Sequence, residues 1–199
     1  MARASSLGPV STFRRLRVTV RALGGDRRGV SVIEFAMIAG PLIALILASL
    51  QTSLIYFAQQ GLETAVEAAA RTVVTGKAQA SDAQATGMTQ QQLAERFRQA
   101  ACARIPRFLK CPNLYVEVTS ASNWSGMSTD VPTLTFDSSG NVSNVFRYDL
   151  GSQGSVVMVR LMYLWPIQTG PLGLNFSNLA GGRQGRLLVA TSVAKTENF

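Results

Sequence analysis

Apolar and polar positions divide the chain into four stretches. Residues 1–29 carry arginines at short intervals, Val30 to Phe57 is almost continuously apolar, Ala58 to Val74 keeps its apolar residues on one helical face, and short runs follow beyond that. The second stretch, VSVIEFAMIAGPLIALILASLQTSLIYF, contains a single charged residue, Glu34. About 20 apolar residues in a helix span a hydrocarbon core of about 30 Å, so the pattern predicts a membrane anchor. Phe35 to Leu50 is its most apolar part, and Tyr56 and Phe57 would lie at the far interface, where aromatic rings are favoured. A removable secretory signal fits poorly. Such a signal has an apolar core of about 7 to 15 residues and an A-x-A-like site, whereas this core is longer, starts with an acid and offers Ser49-Leu50-Gln51-Thr52.

Past the anchor, Ala58, Leu62, Ala65, Val66, Ala69 and Val73 recur at helical spacing and predict a stalk that continues the same helix. Unbroken from Ser31 to Val74, it would run about 65 Å at 1.5 Å per residue, about twice the hydrocarbon thickness. Residues 75–88 are small and polar without a period and read as a linker. Thr89 and Gln92 have the spacing of a capping box, which predicts a second helix with Leu93, Phe97, Ala101 and Ile105 as its core stripe. After Pro112, β-branched and aromatic runs predict strands at Tyr115–Thr119, Val131–Phe136, Asn144–Tyr148, Ser155–Trp165 and Arg186–Lys195. Thr169 to Gly185, with its five glycines, reads as a surface loop and a candidate partner contact. The expected fold class is α+β. A leader at 1–29 precedes a transmembrane and stalk helix at 30–74, a linker at 75–88 and an extracytoplasmic head at 89–199 built from the second helix and an antiparallel sheet.

The net charge of +8 changes this picture only at the front. Arg3, Arg14, Arg15, Arg17, Arg21, Arg27 and Arg28 against Asp26 give +6 by residue 29, which leaves +2 for the rest. A basic flank directly before an apolar helix marks the cytoplasmic side, so residues from about 58 onward lie outside, and no nucleic-acid contact is implied. The chain has no histidine, which removes Ser-His-Asp and Cys-His nucleophile systems and His-ligated metals. The acids after residue 100, Glu117, Asp130, Asp137, Asp149 and Glu197, are scattered and form no recognisable pair. No enzyme activity, cofactor or metal is therefore expected. Cys102 and Cys111, the two cysteines, are placed to pair in an oxidising compartment and tie the second helix to the first strand, a loop closure that contributes about 2 to 3 kcal/mol.

The junction reads Arg27-Arg28-Gly29-Val30-Ser31-Val32-Ile33-Glu34-Phe35. Gly29, without a side chain, lets the backbone stay extended in a narrow protease cleft. Glu34 either finds a partner or lies at the interface and snorkels toward water, because a carboxylate inside an apolar helix costs a few kcal/mol at the bilayer centre. A glycine, four residues and then Glu-Phe, after a basic leader and opening an apolar helix, resembles the cleavage site of type IV prepilins and more closely that of Flp/Tad pilins and pseudopilins. Glu34-Phe35-Ala36 followed by Pro41-Leu42-Ile43-Ala44-Leu45, and then Ala68-Ala69-Ala70-Arg71, resembles the TadE-like pseudopilin family.

The resemblance implies cleavage by a prepilin peptidase between Gly29 and Val30 on the cytoplasmic side. Glu34 becomes the fifth residue of the mature chain, paired with the free α-amine of Val30 in the same or a neighbouring copy. It also implies a minor pseudopilin of a Flp/Tad pilus system, single-pass in a bacterial inner membrane, with a periplasmic pilin-like head and with the fibre itself as a further destination. Other pilins or pseudopilins and inner-membrane platform proteins are the implied partners. Pro41 removes a backbone hydrogen bond from the anchor, a defect that neighbouring helices help to satisfy. Small residues recur every fourth position at Ala36, Gly40, Ala44, Ala48 and Thr52, a row that lets helices approach closely in lipid. The alternative is an uncleaved single-pass envelope protein with an extracytoplasmic binding domain.

Overall fold

Anchor and stalk form one helix. The computed structural model describes residues 29–130, 133–167, 170 and 173–198, so the basic leader up to Arg28 lies outside the described residues. Helix α1 is Val30–Val74, with Pro41 inside it. It is followed by α2 (Lys77–Gln84), α3 (Gln90–Cys102) and three strands, β1 (Leu114–Ala121), β2 (Val156–Trp165) and β3 (Arg186–Lys195). This is the expected α+β order. By contacts the chain divides between Ile46 and Leu47. The described part of the first unit is the start of α1, whose large apolar side chains are exposed, Phe35 at 73% and Met37 at 73%, while Ala44 is buried.

In the second unit β2 lies between β1 and β3, antiparallel to both. The register places Leu114, Tyr163 and Leu188 in one row and Val118, Val159 and Ser192 in another on the same face. That face joins Ala58, Leu62, Ala65, Val66, Ala69 and Val73 of α1, together with Phe97 and Ala101 of α3, in one apolar cluster. The helical stripe expected from spacing is thus the stripe that is buried, and each Leu or Val withdrawn from water there contributes about 1.5 to 3 kcal/mol. Gly61 permits a close approach, since a Cβ at this position would run into the ring of Pro106. The capping box forms: the Gln92 amide donates to Thr89 Oγ1 at 3.3 Å and the Thr89 amide to Gln92 Oε1 at 2.8 Å. Cys102 and Cys111 are disulfide-bonded, with Cα atoms 5.7 Å apart, and join the end of α3 to the turn before β1.

Two expectations change. Residues 75–88 are not a plain linker, because α2 forms there after Gly76 turns the chain at φ 72°. Its sequence KAQASDAQ has no apolar stripe; buried Ala78 and a hydrogen bond from Gln79 Nε2 to the Leu150 carbonyl at 3.0 Å fix it from outside. The strands expected at Val131–Phe136 and Asn144–Tyr148 do not form among the described residues, and 131 and 132 lie outside them. Isolated bridges, Val118 with Tyr148 and Phe136 with Val142, stand in their place. Side chains have taken over the backbone bonds that a ladder needs. Asn144 accepts from the Thr135 amide at 2.6 Å and donates to the Thr133 carbonyl at 2.9 Å, while Asp137 Oδ1 accepts from the amides of Ser139 and Asn141.

This irregular segment covers the second face of the sheet. Arg160, opposite Glu117 in the register, is only 2% exposed. Its Nη1 meets Glu117 Oε2 at 2.7 Å and its Nη2 donates to the Thr129 carbonyl at 3.0 Å, while Nε has no partner. Tyr115 and Phe146 add a ring contact at 5.7 Å. Removing one member of a buried pair leaves an uncompensated charge and costs about 3 to 5 kcal/mol, whereas replacing both with apolar groups is far milder. Glu117→Leu should therefore destabilise the detergent-solubilised chain by that amount, and adding Arg160→Met should recover most of the loss. Thermal and denaturant unfolding check this, and a double variant as unstable as the sum of the singles would contradict it.

Candidate functional site

The junction residues lie at the start of α1. Gly29 immediately precedes the helix, and a Cβ built on it would meet nothing within 4 Å. Gly40 is equally open. Neither glycine has a positive φ, so neither backbone strain nor packing within the described residues requires them to be small. Glu34 is exposed, and Val30 lies four residues before it, on the same side of the helix. The ion pairs found among the described residues, Arg98 with Glu95 and Arg160 with Glu117, both lie in the head. Phe35 projects outward beside Glu34.

Of the small-residue row, Ala36 and Gly40 are exposed, Ala44 is buried, and Ala48 and Thr52 are half-buried. Thr52 turns its hydroxyl back to the Ala48 carbonyl at 2.9 Å, so it presents a methyl rather than a free donor. Pro41 is accommodated without ending the helix. A run of exposed Val, Ile, Phe, Met and Leu this long has no stable place in water. The helix is long and apolar enough to cross a membrane, and apart from the hydrogen bond lost at Pro41 its helical backbone bonding is what a hydrocarbon environment demands.

The head contains a cleft of about 270 Å³ lined by Ala69, Lys77, Asp82, Arg96, Phe97 and Tyr148, among others. Tyr148 donates to Asp82 Oδ2 at 2.8 Å, and its ring lies 5.6 Å from that of Phe97. Burial first, and then the hydrogen bond and charge of Asp82, push the Tyr148 hydroxyl far above its ordinary range. Arg96 bonds the hydroxyl and the carbonyl of Ser81. None of these polar groups stands out in the sequence, because they come from α2, α3 and the loop before β2 and share no spacing. Among the described residues no three Cys, Asp or Glu side chains converge as metal ligands would.

Residues 29–71 match the model of the TadE-like protein family, the family that the junction and anchor resemble. The matched segment holds Gly29, Glu34-Phe35, the anchor and most of the stalk, and leaves the sheet outside it. No curated protein and no solved structure matches the chain.

The Tyr148–Asp82 contact carries a pH signature. A hydroxyl held neutral in the folded state but ionising near pH 10 in the unfolded chain gives stability that is fully present below about pH 10 and declines as pH rises beyond it. Tyr148→Phe should flatten that alkaline decline while lowering stability at pH 7 by about 1 kcal/mol for the lost hydrogen bond. Thermal unfolding of both chains from pH 7 to 11 measures it, and parallel declines would refute the assignment.

Proposed function

We propose that this chain is a minor pseudopilin of a Flp/Tad-type pilus system, cut by a prepilin peptidase after Gly29 and taking part in pilus priming or assembly. The observation that carries the reading is the coincidence, inside the family match, of Gly29, Glu34-Phe35 and an exposed apolar helix that starts at Val30. The chain acts as a substrate and a structural subunit rather than as an enzyme. It sits single-pass in a bacterial inner membrane, with the leader cytoplasmic and the head periplasmic. Its partners are the peptidase, other pilins or pseudopilins and inner-membrane platform proteins.

The chemistry of the cut explains why Glu34 stands one turn from Val30. Before cleavage the Val30 nitrogen is an uncharged amide, and the Glu34 carboxylate is held near the helix N-terminus by the macrodipole and interfacial water. Hydrolysis of the Gly29–Val30 bond leaves an ammonium at that end, where the dipole disfavours it, and a carboxylate within reach compensates. Drawing Glu34 deeper among apolar helices costs a few kcal/mol unless it meets such an amine. Cleavage thus creates the partner that lets the helix dock, which couples processing to assembly. Gly40 and the small residues around it give the docking helices a close approach, and Pro41 leaves a carbonyl for a neighbour to satisfy.

In cells with an active prepilin peptidase, N-terminal sequencing of the membrane-purified protein should start at Val30. A start at Met1 or Ala2 would favour the uncleaved anchored protein instead. Glu34→Ala should be cut at the normal rate yet lose piliation by an order of magnitude or more, counted by microscopy or sheared-pilin assay. Undiminished piliation would reduce Glu34 to a side chain that snorkels to the interface.

A further inference from the structure

One end of the head lies at the level of the anchor's last apolar turns. β1 starts, β2 ends and β3 starts at the same end of the sheet, where Leu114, Tyr163 and Leu188 are in register. Several contacts set this end against the Gln51–Gly61 part of α1. Gln59 Nε2 donates to the Val189 carbonyl at 3.0 Å, Pro106 fills the space over Gly61, and Ile55 shares the apolar cluster with Ile167. A Cβ on Gly170 would lie 3.5 Å from Gln51 Oε1, and Gln51 precedes Phe57 by about 9 Å of helix rise. At the opposite end of the sheet, the Glu197 amide donates to the Val74 carbonyl at 3.0 Å. The Trp165 end of β2 therefore lies beside the Gln51–Gly61 part of α1 and its other end beside Val74.

The side chains at that end suit an interface. Phe108 is 52% exposed with its ring edge-on to Trp165 at 6.5 Å, and Leu174 is 38% exposed. Arg107 and Lys110 are exposed on either side of Phe108 and Leu109. Their loop is held at one end by the disulfide, at its middle by Pro106 over Gly61, and by the Lys110 amide donating to Tyr163 Oη at 2.8 Å. Charge is biased as well: residues 103–116 and 160–190 contain no Asp or Glu, and the carboxylate that comes near, Glu63 of α1, accepts from Gln59 Nε2 at 2.9 Å. On α1 itself, Tyr56 and Phe57 are each 68% exposed at the same level. Aromatic rings beside cations that make no ion pair among the described residues, at the height of the exposed Tyr56 and Phe57, match the outer headgroup layer of an anionic bilayer.

We propose that this end of the head rests on the membrane crossed by α1, with Phe108 in the interfacial layer and Arg107 and Lys110 on the phosphates of anionic phospholipid. The proposal rests on the anchored reading above, so its test separates the two. The full chain, with Trp124→Phe, Trp165→Phe and Phe108→Trp, is reconstituted in vesicles of phosphatidylcholine with or without about one third phosphatidylglycerol, with bromines on the lipid near the headgroup. Retention after alkaline carbonate washing reads the anchor, and tryptophan emission reads the loop.

The expected result is a carbonate-resistant chain whose emission is blue-shifted and quenched at least two-fold by brominated lipid, more strongly with phosphatidylglycerol. Arg107→Gln with Lys110→Gln should abolish the dependence on phosphatidylglycerol. If the reporter chain fails to fold, Trp165 in the Trp124→Phe chain reports on the same end with the loop unaltered. A resistant chain whose tryptophan stays water-exposed and unquenched overturns this proposal alone, including where the ring is shielded only in native membranes by a neighbouring protein. Quenching indifferent to lipid charge overturns the assignment of Arg107 and Lys110. Extraction by carbonate overturns the anchor and this proposal together.

Discussion

The structure depends on one seam, the stripe from Ala58 to Val73 buried against the sheet. The strands bring Val157, Val159, Leu161 and Tyr163 to one face, and without the helix that face would be open to water. A three-stranded sheet of this size is marginal alone. The helix supplies the missing layer, and its small residues decide how closely it approaches: Ala58 and Ala65 are wholly buried, and Gly61 leaves room only for the Pro106 ring. The part of α1 beyond the apolar run is thus a structural component of the head and not a spacer. The family match likewise extends through Arg71, beyond the apolar run.

Two carboxylates illustrate two ways of handling charge in apolar surroundings. Glu117 lies on the second face of the sheet and receives Arg160 directly across the strands, with the Thr129 carbonyl as a second partner of the guanidinium. That pair is closed within the chain. Glu34, on an equally apolar element, has a side chain open to its surroundings and an amide nitrogen, not an amine, one turn behind it. On the proposed reading the counterpart of Glu34 arises only when the Gly29–Val30 bond is cut, whereas Glu117 is answered within the chain and serves the fold. The distinction follows from which partners the backbone itself can bring near, since a helix offers its residues at three and four positions' distance and little else.

What was legible in the sequence divides along the same physical line. The stalk stripe, the Thr89–Gln92 cap, the disulfide and the three long strands each depend on local spacing or on a residue type with few alternatives. The segments that misled are those whose structure is imposed by distant partners. Helix α2 lacks a stripe and is held by Leu150 and by burial of Ala78, and the two absent strands yielded to side chains of Asn144 and Asp137 that satisfy the backbone first. β-branched content raises the propensity for strand, but it does not say whether a neighbouring edge is available. The cleft between α1, α2 and α3 was invisible for a related reason, because Asp82, Arg96 and Tyr148 acquire their relation only through tertiary packing.

The junction and anchor lie inside the family match, and the peptidase proposed to act there would read a linear segment. A protease cleft takes an extended backbone and a few consecutive side chains, so on that proposal the order Arg28, Gly29, Val30 and the spacing to Glu34 would themselves be the recognition element. The head faces no such demand. Any sheet that buries the seam and closes its second face would serve, and its sequence is free to drift within those limits. The proposed membrane-facing end, with Arg107 and Lys110 exposed beside Phe108, is one constraint that would survive such drift. It acts through composition and height above the bilayer rather than through the identity of any one residue.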